Sequence, residues 1–295
     1  MKLALLGAFA YLVLLTSPAG AQQHFPTPEA AARALETAAR ARDAAPLLAV
    51  LGPGSEEIVS SGDPVEDAAA RKRFTTAAGE RTRVETMPDG AMAILHVGRD
   101  DWPFPIPIVR EADGWRFDPA SGREEILNRR IGRNELVAIQ VCRAYVDAQH
   151  EYVARFHTYA QALRSTPGKR DGLYWEAADH DRSPLGPLVA AATAEGYHVP
   201  EGDEPRLPYH GYFFRVLTAQ GPHAPGGARD YVKDGKMTGG FALVAWPAEH
   251  GSSGIMTFLV GEQDVVFQKD LGELTAEAIK AVTAFDPDES WDPTK

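Results

Sequence analysis

Four places in the chain carry residue types from which catalytic or metal chemistry is ordinarily built. His150-Glu151 lies in a stretch of helical period, where a zinc-protease helix would place a second His four residues on; that position is Ala154. The next imidazole, His157, is about 10 Å further along a helix axis, too far for two nitrogens on one zinc. Both read as solvated residues of a helix face. His180 stands between Asp179 and Asp181, a carboxylate–imidazole combination that can serve as base or ligand in a connecting segment of the kind that carries sites. Adjacent side chains point apart, however, and no recognisable nucleophile elbow is nearby. Ser60-Ser61-Gly62 before Asp63 offers a hydroxyl, yet a turn and a helix cap account for every residue, and Gly-x-Ser-x-Gly occurs nowhere. In the Gly-rich stretch from Gly221 to Gly240, Gly235-Lys236 is followed by Met237 where a phosphate loop needs Ser or Thr, and Asp230 takes the place of the leading Gly. That stretch reads as a loop between strands.

Two aromatic segments suit binding better than catalysis. Trp102-Pro103-Phe104-Pro105-Ile106-Pro107 has alternating prolines, which force extended backbone without donors and belong on a sheet edge or in a polyproline stretch. Such an edge can contact a partner, or it can simply resist aggregation. Tyr209-His210-Gly211-Tyr212 opens a strand, with rings that fit either a core or a groove between domains. The sequence thus specifies no catalytic residue, no metal-ligand set and no cofactor. It leaves open a site assembled only in the fold, from the dispersed His180, His198, His210, His223 and His250 with carboxylates.

The elements that would position such groups follow from periodicity. Thr27-Pro28-Glu29 caps and opens a helix with Ala31, Leu35 and Ala38 on its apolar stripe; Asp43 starts a shorter one ending at Gly52. Asp63-Pro64-Val65-Glu66 opens a third, with Glu66 placed to reach back as in a capping box and a stop at Gly79. Alternation then predicts strands over Thr82–Met87, Ala91–Val97 and Phe104–Arg110, with Asp113-Gly114 turning into Trp115-Arg116-Phe117. From Asn134 apolar residues recur at helical spacing through Val141, Cys142, Tyr145, Tyr152, Phe156 and Tyr159 to Leu163. A connection rich in Gly, Pro and charge runs from Ser165 to Pro208, with helix near Leu185–Glu195. Strands follow over Gly211–Ala219, Gly240–Trp246, Gly254–Val260 and Val265–Lys269, then a helix over Thr275–Thr283. The class is α+β: N-terminal helices packed on an antiparallel meander, then one long helix across an antiparallel sheet.

Composition narrows the function classes. Lys2, the apolar run Leu3–Leu15 and Ala19-Gly20-Ala21 form a secretory leader, with the cut expected between Ala21 and Gln22. As a helix that run spans about 20 Å, short of a ~30 Å hydrocarbon core, so no membrane span is expected once it is removed. Residues 22–128 are expected to form one domain and residues 129–295 a second, since the chain is long for a single core. A net charge of −11 disfavours nucleic acid and anionic lipid as partners. The single Cys142 excludes an internal disulfide and a Cys-based zinc site.

Two resemblances add to this reading. The helix from Asn134, followed by Phe241-Ala242-Leu243-Val244-Ala245-Trp246-Pro247, Gly254-Ile255-Met256-Thr257-Phe258 and Val265-Val266-Phe267, resembles the globular part of type IV pilin-like proteins. It lacks their hydrophobic N-terminal half-helix, so the likeness implies a fold and not fibre assembly. Several further segments extend the comparison over nearly the whole chain. They are Leu51-Gly52-Pro53-Gly54, Ser60-Ser61-Gly62-Asp63-Pro64, Gly211–Pro222, Ala224-Pro225-Gly226-Gly227-Ala228, Lys236–Ala242 and Gln268–Gly272. Through them the chain is identified as a member of an uncharacterised bacterial exported-protein family, domain of unknown function 2950, which implies export and no known chemistry. The function expected is a non-catalytic binding or assembly module of the periplasm or cell envelope, its partner an envelope protein or small ligand; the alternative is an extracytoplasmic hydrolase. Intact-mass measurement of exported protein should give Gln22, or a residue within two of it, as the N-terminus; retention of Met1–Ala21 would contradict the leader.

Overall fold

The structure is a computed structural model that describes residues 22–176, 181–198 and 207–294; the leader and His180 lie outside them. The first half opens with helices α1 (Pro28–Ala39), α2 (Ala45–Leu51), α3 (Glu56–Val59) and α4 (Pro64–Glu80). Thr27 Oγ1 accepts the Ala30 amide at 3.2 Å and so caps α1. Its buried stripe of Ala31, Ala32, Leu35, Ala38 and Ala39 is the expected apolar face. Asp63 Oδ1 caps α4 by accepting the Val65 and Glu66 amides, both at 3.1 Å. The expected reach-back of Glu66 is not made: its carboxylate bonds Arg73 at 2.7 Å, and α4 runs through Gly79 to Glu80.

Five antiparallel strands follow: β1 (Thr82–Thr86), β2 (Met92–Val97), β3 (Trp102–Pro103), β4 (Ile108–Glu111) and β5 (Gly114–Phe117), in the order β1-β2-β4-β5 with β3 beside β2. Ala93, Leu95 and Val97 alternate inward from β2 and meet Trp115 and Phe117 of β5 under α1 and α2. The strand expected over Phe104–Arg110 is split, because Pro105 and Pro107 have no N–H for the ladder. Ile106 between them is fully buried. The next helix lies so close that a Cβ on Gly122 would stand 2.6 Å from the Pro105 carbonyl, and Arg129 lies 5.8 Å over the Trp102 ring. The segment is therefore covered at Ile106, while Trp102 and Pro103 at its start remain exposed.

That helix, α5, is unbroken from Pro119 to Phe156, about 57 Å long. It begins well before the expected Asn134, and residue 128, the expected boundary, falls inside it. In the early turns the polar Arg130 and Asn134 share the buried stripe with Leu127 and Ile131, which weakens its apolar period. The end also differs. His157 takes a left-handed conformation (φ +58°) and closes the helix, so Tyr159 and Leu163 leave it and pair with Met237 and Tyr174 instead. Fully buried Gln149 holds the reversal by exchanging two hydrogen bonds with the Ala160 backbone, at 2.8 and 2.9 Å, as a neighbouring strand would.

Beyond α6 (Gly186–Glu195) lie β6 (Tyr212–Leu217), β7 (Ala219–Gln220), β8 (Arg229–Asp230), β9 (Val232–Lys233), β10 (Lys236–Met237), β11 (Ala242–Pro247), β12 (Met256–Gly261), β13 (Val266–Asp270), α7 (Thr275–Ala278) and β14 (Asp292–Pro293). The stretch from Gly221 to Gly240, expected as a loop, contains the short β8, β9 and β10. The main antiparallel sheet runs β14-β13-β12-β11-β6. Phe214, Ala245 and Phe258 are cross-strand partners and share with Phe241 and Leu243 the face that α5 covers, where Tyr145 stacks edge-on against Phe241 at 5.7 Å. The opposite face is closed by the C-terminal segment. Arg215 donates to the Ile279 and Val282 carbonyls at 2.7 Å, Phe285 stacks on Phe267 and Lys269 lies over Trp291. α7 stops at Ala278 rather than near Thr283. Cys142 is buried in this core, and burial pushes its thiol up to about 12.

Phe258 is fully buried between α5 and the sheet, so Phe258→Ala should cost about 3–5 kcal/mol in urea unfolding. Phe156, expected on the same stripe, instead lies half-buried between Tyr152 and Trp175. Its replacement by Ala should cost less than half as much.

Candidate functional site

The two hydrophobic clusters, one in each half of the chain, meet through polar groups. The side chain of Asp63, fully buried, faces both ways: Oδ1 caps α4, and Oδ2 accepts the Tyr197 hydroxyl and the Gly211 amide, both at 2.9 Å. Gly211 has φ +74°, and a Cβ there would lie 2.8 Å from Asn134 Nδ2 and from the Ser253 Cβ. Glycine alone fits this approach. Nearby Arg130, buried in α5, donates to the Glu57 and Ile58 carbonyls at 2.6 and 2.5 Å, satisfying the open end of α3. Asp67 is bonded twice by Ser61 and faces Arg130; burial nevertheless raises its carboxyl above the ordinary value. From α5 Asn134 donates to the Ser253 carbonyl at 2.9 Å, and Glu135 accepts the Ile255 and Met256 amides at 3.0 and 2.9 Å. The β11–β12 hairpin is thereby tied to the same helix that carries Arg130.

Tyr197 links this junction to a cavity. Gly196, left-handed at φ +104°, ends α6 and returns the Tyr197 amide to the Ala192 carbonyl at 2.9 Å. The Tyr197 ring then packs edge-on against Tyr209 at 4.8 Å. Together they wall one end of a cavity of about 220 Å³ whose other linings include Tyr145, Leu188, Phe214 and Leu243. α6 roofs it. That helix is apolar from Pro187 to Ala192, yet none of its residues is fully buried, because the cavity lies beneath it. The cavity adjoins a groove of about 1350 Å³ that follows the edge strand β6 and is closed by residues 161–176; Leu163, Tyr174, Tyr209 and Phe214 line both.

The polar groups that wall this space include tyrosine phenols. Burial raises the phenols of Tyr145, Tyr197 and Tyr209, the last to about 12, and the Asp63 carboxylate raises Tyr197 further. All three stay protonated at neutral pH and do not act as bases; the O–H groups of Tyr197 and Tyr145 are already given to Asp63 and to the Ala242 carbonyl.

The histidines singled out by sequence are dispersed. His210 Nε2 lies 2.7 Å from Glu195, His223 Nδ1 3.0 Å from Asp286, and His250 Nε2 2.8 Å from Asp270. None of these three lines either cavity. Among the described residues no Ser, Thr or Cys side chain is bonded to any of these three rings. His198 lines the smaller cavity. His150 is exposed and stacks edge-on with Phe241; His157 closes α5. Asp181, beside His180, is taken up by Arg155 and Arg170. Ser61 bonds Asp67, as a turn residue would. Among the described residues one cluster has metal-ligand spacing, His24 with Glu111 and Asp113.

The cavity was not legible from spacing, since its linings come from α5, α6 and the second sheet. Its one sequence signal was Tyr209-His210-Gly211-Tyr212, where Tyr209 lines both cavities and Gly211 completes the junction.

Tyr197→Phe removes one donor from a buried carboxylate and should cost about 1–2 kcal/mol in urea unfolding. Asp63→Ala orphans donors in both halves and removes a helix cap, and should cost about 3–5 kcal/mol. Equal, small effects in both variants would show the carboxylate to be solvated.

No curated protein and no solved structure matches the chain. The family described as protein of unknown function (DUF2950) matches residues 22–294, and on that extent the chain belongs to it.

Proposed function

We propose that the chain is an exported, non-catalytic binding module of the cell envelope that takes an apolar small molecule beneath α6. The observation that carries this reading is the cavity of about 220 Å³ walled by Tyr145, Leu188, Phe214 and Leu243. A dry cavity of ~150 Å³ already accepts a benzene-sized guest, so this one has room for an aromatic ring or a short branched chain. The rest of a longer ligand would lie in the groove along β6. Export is supported by the Lys2–Ala21 leader pattern and agrees with a family match that starts at residue 22. Among the described residues no helix is long and apolar enough to cross a membrane. The lie of α5 across the antiparallel sheet supports the comparison with the globular part of pilin-like proteins at the level of layout.

Titration of the mature chain with an environment-sensitive naphthalene dye should give saturable fluorescence at one dye per chain. Ala192→Trp, on the cavity side of α6, should weaken binding at least about tenfold, ~1.4 kcal/mol, with the unfolding midpoint retained. Val189→Phe provides a second filling variant. Undiminished binding by both folded variants would contradict the site.

A further inference from the structure

We propose that, once the leader is removed, Gln22-Gln23-His24 forms a copper(II) site built from the Gln22 α-amine, the backbone nitrogens of Gln23 and His24, and Nδ1 of His24. This rests on the cut between Ala21 and Gln22. The chemistry is that of position: a His third from a free amine closes a run of fused chelate rings that set four nitrogens in one plane. Copper(II) favours a square-planar nitrogen set. Binding exchanges three protons for the ion, one from the terminal ammonium and two from the amides, and no electron moves.

Four features of the folded chain suit this arrangement. The first backbone amide near the terminus that the fold uses is Phe25, which donates to Trp115 at 2.8 Å. Among the described residues the amides of Gln23 and His24 donate to no protein group, so giving up their protons breaks no native bond. His24 Nε2 lies 3.5 Å from Glu111 Oε2 and 3.4 Å from Asp113 Oδ1. Two carboxylates at that nitrogen favour its protonated tautomer and leave the Nδ1 lone pair for a metal, the usual second layer around a ligating imidazole. Arg116 Nε holds Glu111 at 2.7 Å from the other side, and the Phe25–Trp115 pair fixes the terminus against the β4–β5 turn that carries Asp113. Lastly, Gln22 Nε2 donates to the Leu51 and Phe117 carbonyls at 2.8 and 2.5 Å. An N-terminal Gln is ordinarily lost to cyclisation, in which the amine attacks Cδ and expels that nitrogen as ammonia. Tying the amide to two carbonyls opposes the reaction and keeps the amine free.

The test uses the full mature chain, released from a fusion so that it begins at Gln22, with intact mass confirming that terminus. Copper(II) should bind at one ion per chain with the visible band and electron paramagnetic resonance pattern of a square-planar four-nitrogen site, releasing about three protons. His24→Ala, and separately one Gly added before Gln22, should each abolish that signature. Glu111→Gln with Asp113→Asn should weaken affinity about 10- to 100-fold, with rescue by Glu111→Asp. A mass-verified Gln22 chain lacking the signature overturns the site, as does a Gly-extended chain that binds equally well, since the carboxylate cluster would then be the ligand. Exported protein whose mass places the terminus elsewhere, or one ammonia short, overturns the proposal for the natural chain through the cut or through cyclisation. These outcomes are distinct from a failed titration.

Discussion

A buried carboxylate is costly to desolvate unless every lone pair finds a donor, and Asp63 meets that condition only when both halves of the chain are in place. Two of its donors, Val65 N and Glu66 N, come from the helix it caps. The other two, the Tyr197 hydroxyl and Gly211 N, come from residues 134 and 148 positions away. Neither half alone satisfies the group. The surrounding contacts repeat the logic with other atoms: Arg130 closes the end of α3 from α5, and Asn134 and Glu135 on the same helix hold the β11–β12 hairpin. Because α5 carries all three side chains, it acts as a spine for both sheets.

The cavity depends on this junction. Tyr197 and Tyr209 wall one end of it, and Tyr197 is aimed by Gly196 and anchored by Asp63. An apolar helix left half-buried over an open space is a poor choice for stability alone, since filling the space would bury more of α6. The phenols around it stay neutral, with the Tyr197 and Tyr145 O–H groups bonded to Asp63 and to the Ala242 carbonyl, and the three imidazole–carboxylate pairs outside it are spread over the second half. The proposed reading as a binding module rests on the space beneath α6.

Much of the architecture was legible because local rules govern it. Thr27-Pro28 and Asp63-Pro64 mark helix starts, alternation marks β2, β11 and β12, and the doubly apolar β11 signals a sheet covered on both faces. The misplaced ends of α5 both involve buried polar side chains. Arg130 and Asn134 are buried polar groups, so the first turns of α5 read as surface and its start was placed near Asn134. Tyr159 and Leu163 kept helical spacing by chance, while Gln149 reversed the chain through a side chain no periodicity reports. Asp63 was legible as a cap and illegible as a tie, because one carboxylate oxygen is spent locally and the other across the fold. The Gln22-Gln23-His24 triplet becomes a candidate only when a free amine precedes it and Glu111 and Asp113 stand beside the ring.

Native-state hydrogen exchange at single amides tests the central tie most directly. The Val65 and Glu66 amides lie in one half and the Gly211 amide in the other, yet all three bond the same carboxylate. If that carboxylate joins the halves into one cooperative unit, the three should exchange with the same opening free energy, that of global unfolding. Gly211 exchanging through a much cheaper opening, with Val65 and Glu66 still protected, would show that the halves open independently and that the tie does not hold them.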